Sequence, residues 1–188
     1  MKRLLLSALI SLSSPVWASD VNALTLETKK TVLPVIPKVV SAMQDAVANM
    51  GVAGAIPVCK DQAPQLIMEK RKETGWDIRR VSLKVRNQER GIPDVWEARQ
   101  LADFNIRAAN GEKPETLEKS EIVQIDGKQV LRYMKALPAA DVCLKCHGAT
   151  DGLDAELKSK LTENYPYDKA TGYLKGEIRG ALTVKRPL

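Results

Sequence analysis

One five-residue segment, Cys143-Leu144-Lys145-Cys146-His147, constrains this chain most, because it uses two of the three cysteines and the only histidine among 188 residues. An odd cysteine count cannot be fully paired within one chain, which excludes a fold built on disulfides alone. A single histidine excludes sites that need two, including most zinc hydrolases and bis-histidine haems. C-x-x-C-H is the attachment signature of a c-type haem. Two thiols add across the vinyl groups, and the adjacent imidazole reaches the iron from the proximal face. The competing readings are a thioredoxin-like redox pair, a structural disulfide, and a zinc site with Cys59 as its fourth ligand. A disulfide leaves His147 without a role. A redox C-x-x-C sits at a helix start beside a βαβ unit, whereas this one follows Pro138-Ala139-Ala140 in what reads as a loop. The segment is therefore assigned to one covalently attached haem c, with Cys143 and Cys146 as thioethers and His147 on the iron.

The N-terminus fits that assignment. Met1-Lys2-Arg3 precedes an apolar run from Leu4 to Leu12, then Pro15 and the small-residue end Val16-Trp17-Ala18. A basic start, a short apolar stretch and a small residue at the cut describe a secretory signal peptide over residues 1–18. The run is well short of the ~20 residues a membrane span needs, so no stable membrane insertion is expected after cleavage. A periplasmic location follows. Losing Lys2 and Arg3 lowers the formal charge from +6 to +4, with acidic residues interspersed throughout. No concentrated basic stripe suggests nucleic acid as a partner.

Ile36, Val40, Met43, Val47 and Met50 recur at steps of four and three, which predicts one apolar face of a helix ended by Gly51 and Gly54. A second helix is predicted over 56–73, ended by Gly75. Val81, Leu83 and Val85 alternate with Ser82, Lys84 and Arg86, a strand pattern. Pro93-Asp94 opens a third helix over about 94–109. Strands at about 120–125 and 128–135 flank Asp126-Gly127, a strong hairpin signal. Residues 138–153 read as irregular, with a short helix near 154–162 and a last strand over about 176–185. Hairpin adjacency with surrounding helices predicts an α+β fold. The division expected is a helical segment over 19–53 followed by one domain over 54–188.

With no second histidine, the distal iron position is left to methionine, cysteine, lysine, water or nothing. Met43 and Met50 fall on the apolar helix face, which suits core packing. Met134 lies nine residues before Cys143. Cys59 is the left-over thiol of an exported protein. Arg79, Arg80, Lys84, Arg86 and Arg132 are candidate partners for haem propionates, of which one or two suffice. Trp76, Trp96 and Tyr133 are candidates for packing on the haem or filling the core.

The chain resembles the Tll0287-like family of haem c proteins. The resemblance is carried by Ala55-Ile56-Pro57-Val58-Cys59, by Gly75 to Asn87, by Pro93-Asp94-Val95-Trp96-Glu97 and by Arg132-Tyr133-Met134-Lys135. The haem motif with Gly148, Tyr165 to Tyr173, and Gly176-Glu177-Ile178-Arg179-Gly180-Ala181 complete it. It implies a PAS-like fold, an antiparallel sheet with flanking helices, here with an N-terminal helical extension. It also implies axial ligation by the motif histidine and a cysteine thiolate, which map onto His147 and Cys59, with Met134 as the fallback.

The function expected is one-electron transfer by a periplasmic monohaem cytochrome, through a redox partner protein that the sequence does not identify. The alternative is a haem-based redox or gas (NO or CO) sensor; with no recognisable output domain in the chain, it would signal to a separate partner. An enzyme such as a peroxidase is not expected, because a distal acid–base histidine is lacking.

Overall fold

The structure, a computed structural model, describes residues 17–188. The apolar leader therefore lies outside the described residues, and the expected cleavage point after Ala18 falls in the first turn of helix α1 (Trp17–Val32). Then come α2 (Val35–Gly54), a π-helical turn (Val58–Gln62), α3 (Ala63–Thr74), β1 (Asp77–Val81), α4 (Gln88–Gly91) and α5 (Val95–Ala109). The remainder is β2 (Glu118–Ile125), β3 (Lys128–Pro138), α6 (Asp141–His147), α7 (Ala155–Asn164) and β4 (Ile178–Pro187). No described helix is long and apolar enough to cross a membrane.

The four strands form one antiparallel sheet in the order β1-β4-β3-β2, the α+β architecture expected. Asp126 and Gly127 close the β2–β3 hairpin with φ of 50° and 74°, the pair of positive values that a type I′ turn requires. Both faces of the sheet are covered. On one, Leu101 and Phe104 of α5 pack against Val81, Met134, Ala136 and Ala181. On the other, Val32 and Val35 from the N-terminal helices meet Ile78, Tyr133, Leu182 and Val184. Helices α1 and α2 thus supply part of the core. β4 is central and buried from Ile178 to Val184 without alternation, because neither of its faces meets water.

Strand β1 is displaced from its predicted position. It ends at Val81, where the Ser82 N–H turns away to the Gly91 carbonyl at 3.1 Å. Val85 is buried and Leu83 is 49% exposed, so the apparent alternation over 81–85 runs through a loop. The predicted helix over 56–73 is divided by the π turn. Residues 141–147, read from sequence as irregular, form α6.

β3 and β4 pair regularly until Leu137↔Gly180 and Pro138↔Ile178, where Arg179 is the extra residue of a β-bulge. Gly180 makes this possible: a Cβ there would run into the Val81 carbonyl oxygen. Ile178 packs in the same cluster as Ala181. The bulge has therefore reset the alternation and sent Arg179 to the opposite face.

The α5 face also carries a polar network. Asp94 caps α5 through the Glu97 N–H at 2.9 Å, and Glu97 returns a bond to the Asp94 N–H at 2.8 Å. Arg132 and Lys185 reach Asp94 at 2.9 and 3.1 Å. Burial alone would raise the Asp94 pKa, but the Glu97 N–H, Lys185 and Arg132 outweigh it and hold the carboxyl at about 2. A depressed carboxyl pKa contributes stability above the unfolded value near ~3.9, and this is lost as pH falls through the folded one. Unfolding by urea should therefore become easier between about pH 4 and pH 2, and Asp94→Asn should flatten that limb. An equally steep acid limb in the variant would show that Asp94 does not carry it.

Candidate functional site

Helix α6 places Cys143, Cys146 and His147 at i, i+3 and i+4, so all three share one face. Gly148 ends the helix by donating to the Leu144 carbonyl at 2.9 Å. A Cβ on Gly148 would sit 2.6 Å from that same oxygen, which explains a glycine directly after the histidine.

The segment from Asp168 to Tyr173 clamps the motif. Tyr173 N–H donates to the His147 carbonyl at 2.9 Å, and Gly172 N–H to that of Gly148 at 2.8 Å. His147 Nδ1 lies 2.7 Å from the Ala170 carbonyl oxygen. A carbonyl only accepts, so Nδ1 carries the proton and Nε2 keeps its lone pair free. Burial, then the positive Arg179 and Arg86, push the His147 pKa well below its ordinary value, although the Ala170 carbonyl opposes them. The imidazole is neutral and oriented as a metal ligand. Tyr173 stands edge-on to it, with ring centroids 6.3 Å apart.

Arg86 ties the surrounding loops together. Its Nε pairs with Asp168 at 2.9 Å, while Nη2 donates to the carbonyls of Cys146 at 2.7 Å and Ala170 at 3.3 Å. Cys59 approaches from the π turn, a helical irregularity frequent at functional sites. Cys59 is accessible to solvent, yet its crowded setting raises its pKa, against the pull of Arg86 and Arg80 and with a further push from Cys143. Arg80, Arg86, Cys143 and Cys146 thus lie within electrostatic reach of Cys59, and Arg80, Arg86 and Arg179 within that of His147.

The alternatives to haem fit poorly. A redox C-x-x-C sits beside a βαβ unit, whereas every strand pair among the described residues is antiparallel. The motif is helical rather than in a loop, so a loop setting does not count against a redox pair. Among the described residues, no three His, Cys, Asp or Glu side chains converge closely enough to hold a metal ion, so Cys59, Cys143, Cys146 and His147 do not form a zinc tetrahedron. Cys143 and Cys146 are not joined in a disulfide.

Five expected site residues lie elsewhere. Arg79 and Arg132 converge on the buried Glu97, on the α5 face, because Arg79 and Arg80 are neighbours in a strand and point to opposite sides. Met134 is fully buried beneath α5 with Leu101 and Phe104, on the face away from Arg80, so the fallback ligand belongs to the core. Trp76 packs among the N-terminal helices, with the Arg186 guanidinium 4.6 Å from its ring. Tyr133 is buried in the same cluster and donates to Glu118. Of Arg79, Arg80 and Arg132, Arg80 alone stands with the cysteines. Sequence reasoning missed Arg179; the signal available was the glycine beside it in an otherwise apolar strand, which points to a bulge.

The comparisons with known proteins agree with this architecture. The crystal structure of the cyanobacterial haem-protein Tll0287 matches with a TM-score of 0.63 and 22% identity, over 86% of this chain and 95% of that one. No curated protein matches. A family model described as Tll0287-like matches residues 13–187, and on that near-complete match the chain belongs to the Tll0287-like family.

Proposed function

We propose that this chain is a periplasmic monohaem c-type cytochrome that transfers single electrons to or from a partner protein, and that it is not an enzyme. The observation that carries this reading is His147, whose Nε2 is left free by the Ala170 hydrogen bond on the same helix face as Cys143 and Cys146. The likeness to Tll0287, a haem-protein, supports it. Haem c bound there supplies a ferric/ferrous couple. Cys143 and Cys146 would hold it covalently, and His147 and Cys59 would ligate its iron. Burial raises the Cys59 pKa, and the neighbouring Arg86 and Arg80 oppose that rise.

One observation favours sensing as a second reading. Cys59 is solvent-accessible and its thiol makes no hydrogen bond among the described residues, so a gas such as NO or CO meets little resistance in displacing it. Ready displacement in the reduced protein supports a sensor acting through a separate partner. A six-coordinate site that exchanges electrons quickly supports the carrier.

The test of haem attachment is expression with the cytochrome c maturation machinery. Intact mass should show one covalent haem, absent from the Cys143→Ser/Cys146→Ser double variant, with a pyridine haemochrome of c type. Wild-type protein without covalent haem would refute the proposal.

A further inference from the structure

The site contains more positive charge than the chain neutralises. Strand β1 sends Arg80 to the sheet face opposite Arg79, the bulge brings Arg179 to that same face, and of Arg80, Arg86 and Arg179 only Arg86 is paired with a carboxylate, that of Asp168. Arg179 is 3% exposed. Its Nη1 reaches Ser82 Oγ at 3.1 Å and the Lys84 carbonyl at 3.4 Å, and its guanidinium lies 5.3 Å from the Tyr173 ring centre. Its Nε is buried and has no hydrogen-bond partner. Arg80 makes no ion pair with any described residue. Arg80 is exposed, so the burial cost falls on Arg179: a buried guanidinium without a counter-charge costs several kcal/mol, and such groups are normally paired.

The backbone is built to accept this cost. The β4 bulge turns Arg179 onto the side of the sheet where Arg80 projects, and it depends on Gly180 approaching the Val81 carbonyl. A purely structural arginine needs no such device, since the regular register would have placed it beside the carboxylates of the α5 face.

Building on the haem reading above, we infer that Arg80 and Arg179 clamp the two haem propionates. Two guanidiniums without carboxylates match the two carboxylates that a haem carries, and Arg86 stays occupied with Asp168 and the loop carbonyls. The remaining groups around them supply no carboxylate: Lys84, its Nζ 4.6 Å from the Tyr173 ring centre, is a further basic side chain, and neither Tyr173 nor His147 is an acid of that kind.

The experiment uses the haem-loaded protein and its Arg80→Gln, Arg179→Gln and Arg179→Lys variants. Resonance Raman reports hydrogen bonding to the propionates through their bending bands, and a redox titration reports charge near the iron. Each glutamine variant should shift the propionate bands to lower frequency and lower the midpoint potential, because a cation that favours the ferrous state is gone. Arg179→Lys should shift the bands but keep most of the potential. Where Arg179→Gln yields no folded protein, Arg80→Gln decides, since that accessible side chain supports no other residue. Unmoved bands and potential in a haem-loaded glutamine variant would overturn the clamp and leave the haem reading intact. A wild-type chain that never takes up haem would overturn the reading on which the clamp rests.

Discussion

Glu97→Ala is expected to destabilise the protein by about 3–5 kcal/mol, the usual loss when one partner of a buried charge network is removed. Glu97 is 0% exposed. Its two oxygens accept from Arg79 Nη2 at 3.0 and 2.8 Å, from the Thr183 hydroxyl at 2.9 Å and from the Asp94 N–H at 2.8 Å. Arg132 stands 3.3 Å away. The loss would come from what stays behind. Arg132 already has an unpartnered Nε, and without Glu97 it would keep only Asp94 as a counter-charge. Half of the cap on α5 would go as well, a further loss of about 1 kcal/mol. For a chain of this size the total corresponds to a fall on the order of 10 °C in Tm. Glu97→Gln, which keeps the shape but removes the charge, should fall between wild type and Ala. Thermal unfolding followed by circular dichroism decides the matter, and a loss below about 1 kcal/mol for the alanine variant would show that the arginines find other partners. The network is no proof of net stabilisation, since an apolar replacement of the whole set could be as stable. It does fix α5 against the sheet.

The same residues show what the sequence made legible. Asp94-Val95-Trp96-Glu97 has the spacing of a capping box, and the helix opening at Asp94 was readable from it. That Glu97 would also gather Arg79 and Arg132 was not, because pairing across 18 and 35 positions depends on strand register. The hairpin was readable because Asp126-Gly127 satisfies a local backbone requirement. β1 was misplaced because Val81, Leu83 and Val85 imitate a strand, while the real one, Asp77–Val81, sets Arg79 and Arg80 side by side and has only two apolar residues, Ile78 and Val81, buried on opposite faces. Helix α6 was hidden by its length of seven residues and by the proline and two alanines before it. Within the site, the local motif Cys143–His147 could be read directly. The approach of Cys59 came only by resemblance, and the bulge at Arg179 is a property of strand pairing that no local pattern records.

Cys59→Ser is expected to abolish the low-spin ferric spectrum of a histidine/thiolate iron and to raise the midpoint potential. An anionic sulfur donor stabilises ferric over ferrous iron, and a serine hydroxyl, which does not ionise near neutral pH, cannot replace it. The exchange should leave the fold nearly untouched, within about 0.5 kcal/mol, because Cys59 is exposed and makes no packing contact in any core cluster. That separation makes the variant informative: a spectral change without a stability change reports ligation alone. Met134→Leu is the companion. Met134 is 0% exposed beneath α5, so the change should cost less than about 1.5 kcal/mol and leave the spectrum where it was. Optical and EPR spectra of the two ferric variants decide between the ligands. An unchanged ferric spectrum in Cys59→Ser would remove Cys59 from the iron, and an altered one in Met134→Leu would require the methionine to cross the sheet. Geometry opposes that second outcome. Met134 belongs to the face that carries Arg79 and Glu97, whereas Cys59 lies within electrostatic reach of Arg80, Arg86 and Cys143, and His147 within that of the same two arginines.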